Sequence, residues 1–274
     1  MSVPYLSNIY IYPVKSLAGI SVEQWSVNHT GLLYDRHWML IDHHSRFLSQ
    51  RHEPRMALIQ TTLTDSSLIL SAPGAPNLVI GLNEWSGETV GVEIWQDFCK
   101  AHVVSEKADQ WFSKFLNVSC RLVFQPATEI RMVDPSYADV TDQTSFSDGF
   151  PFLIISENSL MALNEELAIK ISMERFRPNL VISGCPAYAE DSWRKISINN
   201  VEFRLPKPCS RCVVPTIDPL TAEMSKEPLQ TLSRLRKWQN KVYFGQNALH
   251  NTIGRLHIGA EVTVLTTGPM QPPL

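Results

Sequence analysis

The chain lacks the hydrophobic segments that mark membrane and secreted proteins. No stretch approaches the roughly 18 consecutive apolar residues of a membrane-spanning helix, so we expect no membrane partner. The N-terminal stretch MSVPYLSNIYIYPVKS has neither the basic start nor the continuous apolar core of a signal peptide. Its alternation of apolar and polar residues predicts instead a strand of the folded protein.

The chain also lacks a strong excess of charge of either sign. It has 24 Lys and Arg against 27 Asp and Glu, a formal net charge of -3. We therefore expect no nucleic acid as a bulk electrostatic partner, although this balance still allows a local basic pocket. The hydrophobic content of 44% and the charged content of 19% are typical of a globular protein with a sizeable core.

Cysteine is scarce, and the chain has five, at positions 99, 120, 185, 209 and 212. An odd number at these spacings does not form the framework of a disulfide-rich secreted domain. We therefore expect free thiols and a cytoplasmic location.

Short strands separated by turn residues dominate the first half of the chain. In SNIYIYPV, Ile9 and Ile11 fall on one face and Tyr10 and Tyr12 on the other. Similar short segments follow, bounded by Gly, Asp, Ser, Asn or Pro, and this pattern predicts a barrel or a sandwich. The fold class expected is mainly β with several helices, an α+β protein.

Three segments have helical signals. SEKADQWFSKFLN repeats apolar residues at helical spacing after Ser105, and ENSLMALNEELA follows Ser156; both serines are candidate N-caps. EPLQTLSRLRKW begins with Pro228 near the first helical position. QPATEIRMVDPSYADVTDQTSFSDG has little periodicity, so we expect a domain junction or a functional loop there. The final GPMQPPL is expected to be an unpacked tail.

The segment KPCSRCVVPTIDP contains a single C-x-x-C pair, Cys209 and Cys212. A structural zinc site usually needs two such pairs, and a thioredoxin-like dithiol opens a helix, whereas VVPTI predicts a strand. Two buried structural thiols are the plain alternative. Lys207 and Arg211 favour a thiolate, the form that binds a soft metal, so a metal carried by an anionic cofactor is a further possibility.

Several motifs, in this order along the chain, resemble the MOSC family, which is named after the C-terminal domain of molybdenum cofactor sulfurase. They are IYPVKSLAGI, GLLYDRHWMLID, FRPNLVISG, YAEDSW, and PCSRCVVPTIDP followed by FGQN. Their order is similar to that in the two-domain members, which reduce N-hydroxylated compounds. The resemblance implies a β-rich, barrel-like N-terminal MOSC domain over residues 1–124, a β-barrel MOSC domain over residues 125–268, and a tail over residues 269–274.

The resemblance further implies a molybdenum ion on one pterin dithiolene, with Cys212 as the metal ligand and the catalytic residue. The phosphate of such a cofactor needs cations and N–H donors, and the pterin needs planar donors and acceptors. Two family positions differ here, since Gly149 and Phe150 replace a Thr-Ser pair and Asn247 replaces a tyrosine of the eukaryotic members. The cofactor-binding residues implied are Lys15, Ser16, Arg36, Asp148, Arg177, Asn179, Ser210, Arg211, Gly245 and Gln246.

The function implied by the resemblance is reduction of N-hydroxylated small molecules, such as hydroxylaminopurines and amidoximes, by oxygen-atom transfer. The chain has no C-x4-C-x2-C run, so we expect no iron–sulfur cluster within it. Its electrons are then expected from a separate donor of ferredoxin or flavoprotein type, or from a fused ferredoxin domain that this sequence does not include. Three alternatives stay open: a sulfur carrier or sulfurtransferase with a cysteine persulfide, a non-catalytic binding protein for the molybdenum cofactor, and a β-barrel interaction module.

Overall fold

The structure, a computed structural model, describes residues 3–273 and is dominated by short strands. Those before the irregular loop 125–151 are β1 (Tyr5–Ile11), β2 (Ile20–Val22), β3 (Gln24–Asn28), β4 (Gly31–Leu32), β5 (Trp38–Ile41), β6 (Gln60–Leu63), β7 (Ser67–Ser71), β8 (Leu78–Gly81), β9 (Thr89–Ile94), β10 (Asp97–Val103) and β11 (Arg121–Phe124). Those after it are β12 (Phe152–Ser156), β13 (Leu180–Ser183), β14 (Trp193–Ile198), β15 (Val201–Ser210), β16 (Lys237–Trp238), β17 (Lys241–His250), β18 (Gly254–His257) and β19 (Val262–Thr267).

Helices are few and short. The α-helices are α1 (Glu106–Leu116), α2 (Glu157–Glu165) and α3 (Leu229–Leu235), and the 3-10 turns are Pro54–Leu58, Met173–Phe176, Ala189–Ser192 and Val214–Thr216. The predicted mainly β fold with several helices is therefore confirmed. Within residues 3–273, no helix is long and apolar enough to cross a membrane.

The strands form one large sheet and three small ones. The nine-stranded sheet has the order β19-β14-β15-β17-β12-β13-β1-β2, with β16 paired to β17. The smaller sheets are β5-β11-β10-β9, β18-β3-β4 and β6-β7-β8. Only β12 and β13 run parallel within the described part of the large sheet, and α2 connects them together with the turn Met173–Phe176.

The first strand of the chain belongs to the sheet built by the second half. In β1, Ile9 pairs with Leu180 of β13 on one side and with Val22 of β2 on the other. Likewise, Trp25 of β3 pairs with Leu256 of β18. Strand pairing therefore crosses the predicted boundary between residues 124 and 125, although the domain limits themselves stay a prediction.

The predicted helices form where their apolar spacing indicated. Helix α1 buries Ala108, Phe112 and Phe115, and it follows Ser105 at the N-cap position. Ser156 caps α2 with its hydroxyl, which accepts the backbone N–H of Ser159 at 3.1 Å. This bond satisfies one of the N–H groups that every helix leaves free at its start.

Two local predictions differ from the structure. VVPTI is not a strand, because Thr216 N donates to Val213 O at 2.9 Å and closes a 3-10 turn around Pro215, which has no N–H to offer a sheet. The segment after β19 packs instead of hanging free: Gln271 N donates to Asp191 O at 2.9 Å, and Pro272 is buried.

Candidate functional site

A cavity of about 750 Å³ lies between the turn after β1, the end of the loop 125–151, the residues after the turn Met173–Phe176, and the C-terminal end of β15. Segments distant in sequence thus meet at one place. The predicted residues that line it are Lys15, Ser16, Arg36, Asp148, Arg177, Asn179, Ser210, Arg211 and Cys212.

Gly245 and Gln246 do not line this cavity, so the structure does not support their predicted cofactor contacts. Gln246 is fully buried and donates through Nε2 to Asp191 Oδ1 at 2.7 Å. Its neighbour Asn247 lines the cavity instead, because consecutive residues of a strand point to opposite faces. Gly245 is required by the fold, with φ at 79° and an added Cβ only 2.6 Å from Ile155 Cγ1.

Lys15 is a buried cation at one end of the cavity. Its Nζ donates to Phe146 O at 2.8 Å and to Asp148 Oδ1 at 2.6 Å. Desolvation lowers the pKa of Lys15 from 10.5 to about 8. Desolvation alone would raise the pKa of Asp148, but the charge and hydrogen bond of Lys15, together with Arg51, hold it well below its usual range.

A second buried cation, Arg131, holds the end of the loop 125–151 in place. Arg131 donates through Nη1 to Ser145 O at 2.9 Å and to Ser147 O at 2.6 Å, and its Nη2 lies 2.6 Å from Asp97 Oδ2. These bonds hold the backbone on both sides of Phe146, whose carbonyl oxygen accepts a hydrogen bond from Lys15 Nζ. The sequence predicted either a domain junction or a functional loop for this segment, and a functional loop agrees with this geometry.

Two arginines share one aromatic ring at the other side of the cavity. The Cζ atoms of Arg36 and Arg177 lie 4.2 Å and 4.3 Å from the ring centre of Tyr12, which is a cation–π arrangement. Both arginines have left-handed backbones, with φ of 49° and 57°. Arg36 pairs with Asp35 at 2.5 Å, and desolvation lowers the pKa of Arg177 to about 10. Two guanidinium groups thus lie beside a single carboxylate, that of Asp35. The excess of positive charge suits an anionic ligand.

Asn179 lines the cavity, but its side chain is engaged by the backbone. Its Oδ1 accepts Leu153 N at 3.2 Å, and its Nδ2 donates to Tyr10 O at 3.3 Å. The residue therefore joins β1 to β12 beneath the cavity.

Both cysteines of the C-x-x-C pair are half-buried and line the cavity, so they are not simply core thiols. Arg211 donates through Nη1 to Cys209 Sγ at 3.1 Å and through Nη2 to Phe176 O at 2.8 Å. The arginine beside Cys212 is instead Arg51, whose Nη2 lies 3.4 Å from the sulfur. Arg211 therefore contacts the first cysteine of the pair, and its predicted role in cofactor binding stays a prediction.

Sequence reasoning missed Arg51 and Trp95, which line the cavity together with Lys207. Arg51 contacts Asp148 Oδ2 at 3.4 Å as well as Cys212. No motif or spacing joins these positions, since they come from separate segments. The only signal was a cationic side chain in the turn-rich SQRHEPR segment.

The chemistry of this lining fits an anionic group that carries a soft metal. Cationic side chains surround the cavity, and a thiol opens into it. Arg211 Nε is buried and has no hydrogen-bond partner among the described residues, which leaves one donor for a ligand. Within residues 3–273, no group of three His, Cys, Asp or Glu side chains is placed to hold a metal ion.

Comparison with known families gives two successive matches. The MOSC N-terminal beta barrel domain matches residues 3–119, and the MOSC domain matches residues 141–263. The interval between the two matches falls mostly within the irregular loop that Arg131 fixes.

Curated relatives match over most of the chain. The human mitochondrial amidoxime-reducing component 1 is 37% identical over 284 residues, which cover 95% of this chain and 82% of that protein. The mouse protein of the same name is 36% identical with the same coverage. Human molybdenum cofactor sulfurase is 31% identical over 90% of this chain, a match that spans 30% of that protein. The chain therefore belongs to the MOSC family, with the N-terminal beta barrel domain of that family followed by a MOSC domain.

Proposed function

We propose that the protein is a molybdenum-cofactor-dependent reductase of N-hydroxylated small molecules, such as hydroxylaminopurines and amidoximes. The main support is the Cys212 thiol, which opens into a cavity together with the cations Lys15, Arg36, Arg51 and Arg177. The names of the relatives, amidoxime-reducing component and molybdenum cofactor sulfurase, agree with this proposal.

Each part of the cavity suits a different part of the cofactor. Lys15, Ser16 and Arg36 would hold its phosphate region, because cations and hydroxyl groups bind phosphate well. Arg177 and Asn179 would face the pterin, and Cys212 would supply the single protein bond to the metal. When bound, the cofactor supplies two-electron oxygen-atom transfer, chemistry that no side chain can perform alone.

The other cavity residues position these groups. Asp148 holds Lys15 through the 2.6 Å ion pair, and Arg51 places a positive charge beside the Cys212 sulfur. Ser210, Arg211 and Asn247 border the cavity near the thiol and offer further donors to a ligand.

Reduction of a substrate requires electrons from outside this cavity. We propose a separate donor of ferredoxin or flavoprotein type, because a two-electron reductase must be recharged after each turnover. All five cysteines are free, which agrees with a reducing compartment such as the cytoplasm.

Exchange of single cysteines tests the ligand assignment. We expect Cys212→Ser, in protein produced with an intact cofactor pathway, to lose nearly all molybdenum and amidoxime reduction, because a serine hydroxyl is a poor ligand for a soft metal. The matched variant Cys209→Ser should retain both. Elemental analysis and an assay with a chemical reductant measure the two quantities, and the reverse pattern would make Cys209 the ligand.

A sulfur carrier is the second candidate, favoured by the Arg211 guanidinium 3.1 Å from Cys209 Sγ. A cation at this distance would stabilise the anion of a persulfide. Such a protein would accept sulfur from a persulfide donor in the absence of molybdenum, and mass spectrometry would show an added mass of one sulfur atom on Cys209 or Cys212. Molybdenum-loaded protein that reduces amidoximes and takes up no sulfur excludes this candidate.

A further inference from the structure

Trp95 borders the cavity on the turn between β9 and β10. It lines the cavity and is 46% exposed. Its φ of 59° lies in the left-handed region, which few residues other than glycine adopt. A half-exposed indole gains only part of the free energy of burial and leaves the rest of its surface open to a ligand.

Three contacts fix the indole ring in place. Its N–H donates to Asp148 Oδ1 at 3.3 Å, and Arg51 Cζ lies 4.5 Å from the ring centre. Phe47 packs against it at 5.1 Å with an interplanar angle of 63°. A large flat side chain that is already oriented loses little further entropy when a ligand binds to it.

The indole lies close to the proposed reaction centre. Arg51 contacts both, since its guanidinium stacks on Trp95 while its Nη2 lies 3.4 Å from Cys212 Sγ. One guanidinium group therefore spans the distance between the indole and the sulfur. Trp95 and Cys212 therefore border the same cavity, one guanidinium group apart.

Aromatic surface continues beyond Asp148. Phe150 lines the cavity two residues after Asp148, and Lys207 Nζ lies 6.0 Å from its ring centre and 4.1 Å from that of Tyr137. Asp148 already accepts the indole N–H and is itself paired with Lys15 and Arg51, so the exposed part of the indole offers an apolar face without a free hydrogen-bond donor. The surroundings of Trp95 thus suit a neutral, flat ligand.

We propose that Trp95 is the stacking platform for substrates whose N-hydroxyl group is attached to a planar heteroaromatic ring. This inference rests on the proposed function and specifies its substrate class. Stacking of a base on an aromatic side chain accepts any base, because every base has a π-face. Trp95 therefore gives ring-bearing substrates a preference over small amidoximes that have no ring.

Three variants test this role. Trp95→Ala removes the ring, and Trp95→Phe keeps a ring but cannot donate to Asp148. Trp85→Ala is the matched control, since Trp85 is 48% exposed, stacks on His102 at 4.2 Å and does not line the cavity. For each protein, kcat/KM is measured with 6-hydroxylaminopurine and with acetamidoxime, and molybdenum content is determined. Calorimetry of adenine, the reduced product, on the oxidised loaded protein gives a dissociation constant that does not depend on turnover.

We expect Trp95→Ala to lower the ratio of kcat/KM for 6-hydroxylaminopurine to that for acetamidoxime about tenfold, and to weaken adenine binding by a similar factor. Trp95→Phe should keep most of the substrate preference and most of the affinity for adenine. Trp85→Ala should match the wild type in both quantities. An equal loss for both substrates, or a Trp95→Phe variant as impaired as Trp95→Ala, overturns the inference, because the contact with Asp148 would then be responsible. A molybdenum-loaded wild type that reduces neither substrate overturns the proposed function, and adenine binding then still decides whether Trp95 stacks a ring.

Discussion

At the scale of the residue, burial shifts the pKa of titratable side chains in this protein. His37 packs against Trp38 and Phe124, with ring centres 4.7 Å and 5.8 Å away. Desolvation lowers the pKa of His37 from 6.5 to about 4. Lys15 follows the same rule, but its position at the cavity makes it available to an anionic ligand.

The pKa of His37 predicts a loss of stability in acid. Between pH 6.5 and 4 the unfolded chain binds a proton at this side chain and the folded protein does not, so the free energy of unfolding falls as the pH falls. We expect the wild type to lose about 2 kcal/mol more than His37→Phe between pH 7.5 and pH 5. Urea unfolding at both pH values measures this difference.

The exposed His43 provides the control. His43→Gln should lose as much stability in acid as the wild type. If His37→Phe and the wild type show the same dependence on pH, His37 is protonated in the folded state and the burial argument is wrong.

Site residues that stand in a local motif could be predicted from the sequence. Contacts between residues distant in sequence could not. Cys212, Lys15 and Arg36 stand in recognisable motifs, and the structure brings them to one cavity. The contact between Arg51 and Cys212 joins positions 161 residues apart and leaves no local pattern. Such a pair follows from how the sheets are arranged, which alternation of apolar residues does not specify.

At the scale of the element, the loop 125–151 shows how an irregular segment can be rigid. It has no regular strand or helix between β11 and β12. Arg131 satisfies two of its carbonyl groups, and Asp142 binds Arg204 of β15 at 2.7 Å. Buried charged donors make stronger hydrogen bonds than neutral ones, so few contacts suffice to order it.

Removal of Arg131 should release the part of the loop that carries Asp148. In Arg131→Met, the carbonyl groups of Ser145 and Ser147 lose their partner, and each bond to a charged group contributes about 1.5 to 3 kcal/mol. We expect faster proteolysis within residues 126–148, by about tenfold, and a several-fold lower molybdenum content per chain. Limited proteolysis with mass spectrometry and elemental analysis test both effects.

Arg46→Met is the control for this experiment, because Arg46 pairs with Glu93 on the surface at 3.3 Å and does not line the cavity. It should leave proteolysis and molybdenum content unchanged. An Arg131→Met protein that resists protease as well as the wild type would show that other contacts hold the loop.

The presence of a helix or strand could be predicted better than the direction in which its side chains point. Helices α1 and α2 have clear apolar spacing, and both follow a serine, although only Ser156 caps its helix through its hydroxyl group. The strand β17 was not predicted, and which of Gln246 and Asn247 faces the cavity depends on its register, since one residue of slip reverses every side chain. VVPTI was misassigned because β-branched residues suggested a strand where Pro215 prevents one.

At the scale of the whole molecule, a buried polar network ties the end of the described chain to the large sheet. Asp191 forms an ion pair with Arg236 and accepts Gln246 Nε2, which also donates to Gln271 O at 2.9 Å. Burial raises the pKa of Asp191 even though Arg236 opposes this effect. The YAEDSW motif therefore serves the architecture through Asp191, and not the cavity.

Arg236 and Asp191 should behave as a coupled pair. Arg236→Met leaves a buried carboxylate without its cation, which typically costs about 3 to 5 kcal/mol of stability. The double variant Arg236→Met/Asp191→Leu should recover most of this loss, because neither charge remains. Denaturant unfolding of the two variants and the wild type measures the difference. Equal stability of the single and double variants would show that the pair is not coupled.

The placement of β1 beside β13 has a consequence for the synthesis of the protein. The ribosome releases Ile9 long before Leu180, its partner in the large sheet, has been made. Until then β1 presents an open edge, which is a template for pairing with other chains. A nascent chain stalled before β13, or a fragment cut at the start of the loop 125–151, should therefore be prone to aggregation even though its sheets β5-β11-β10-β9 and β6-β7-β8 are complete.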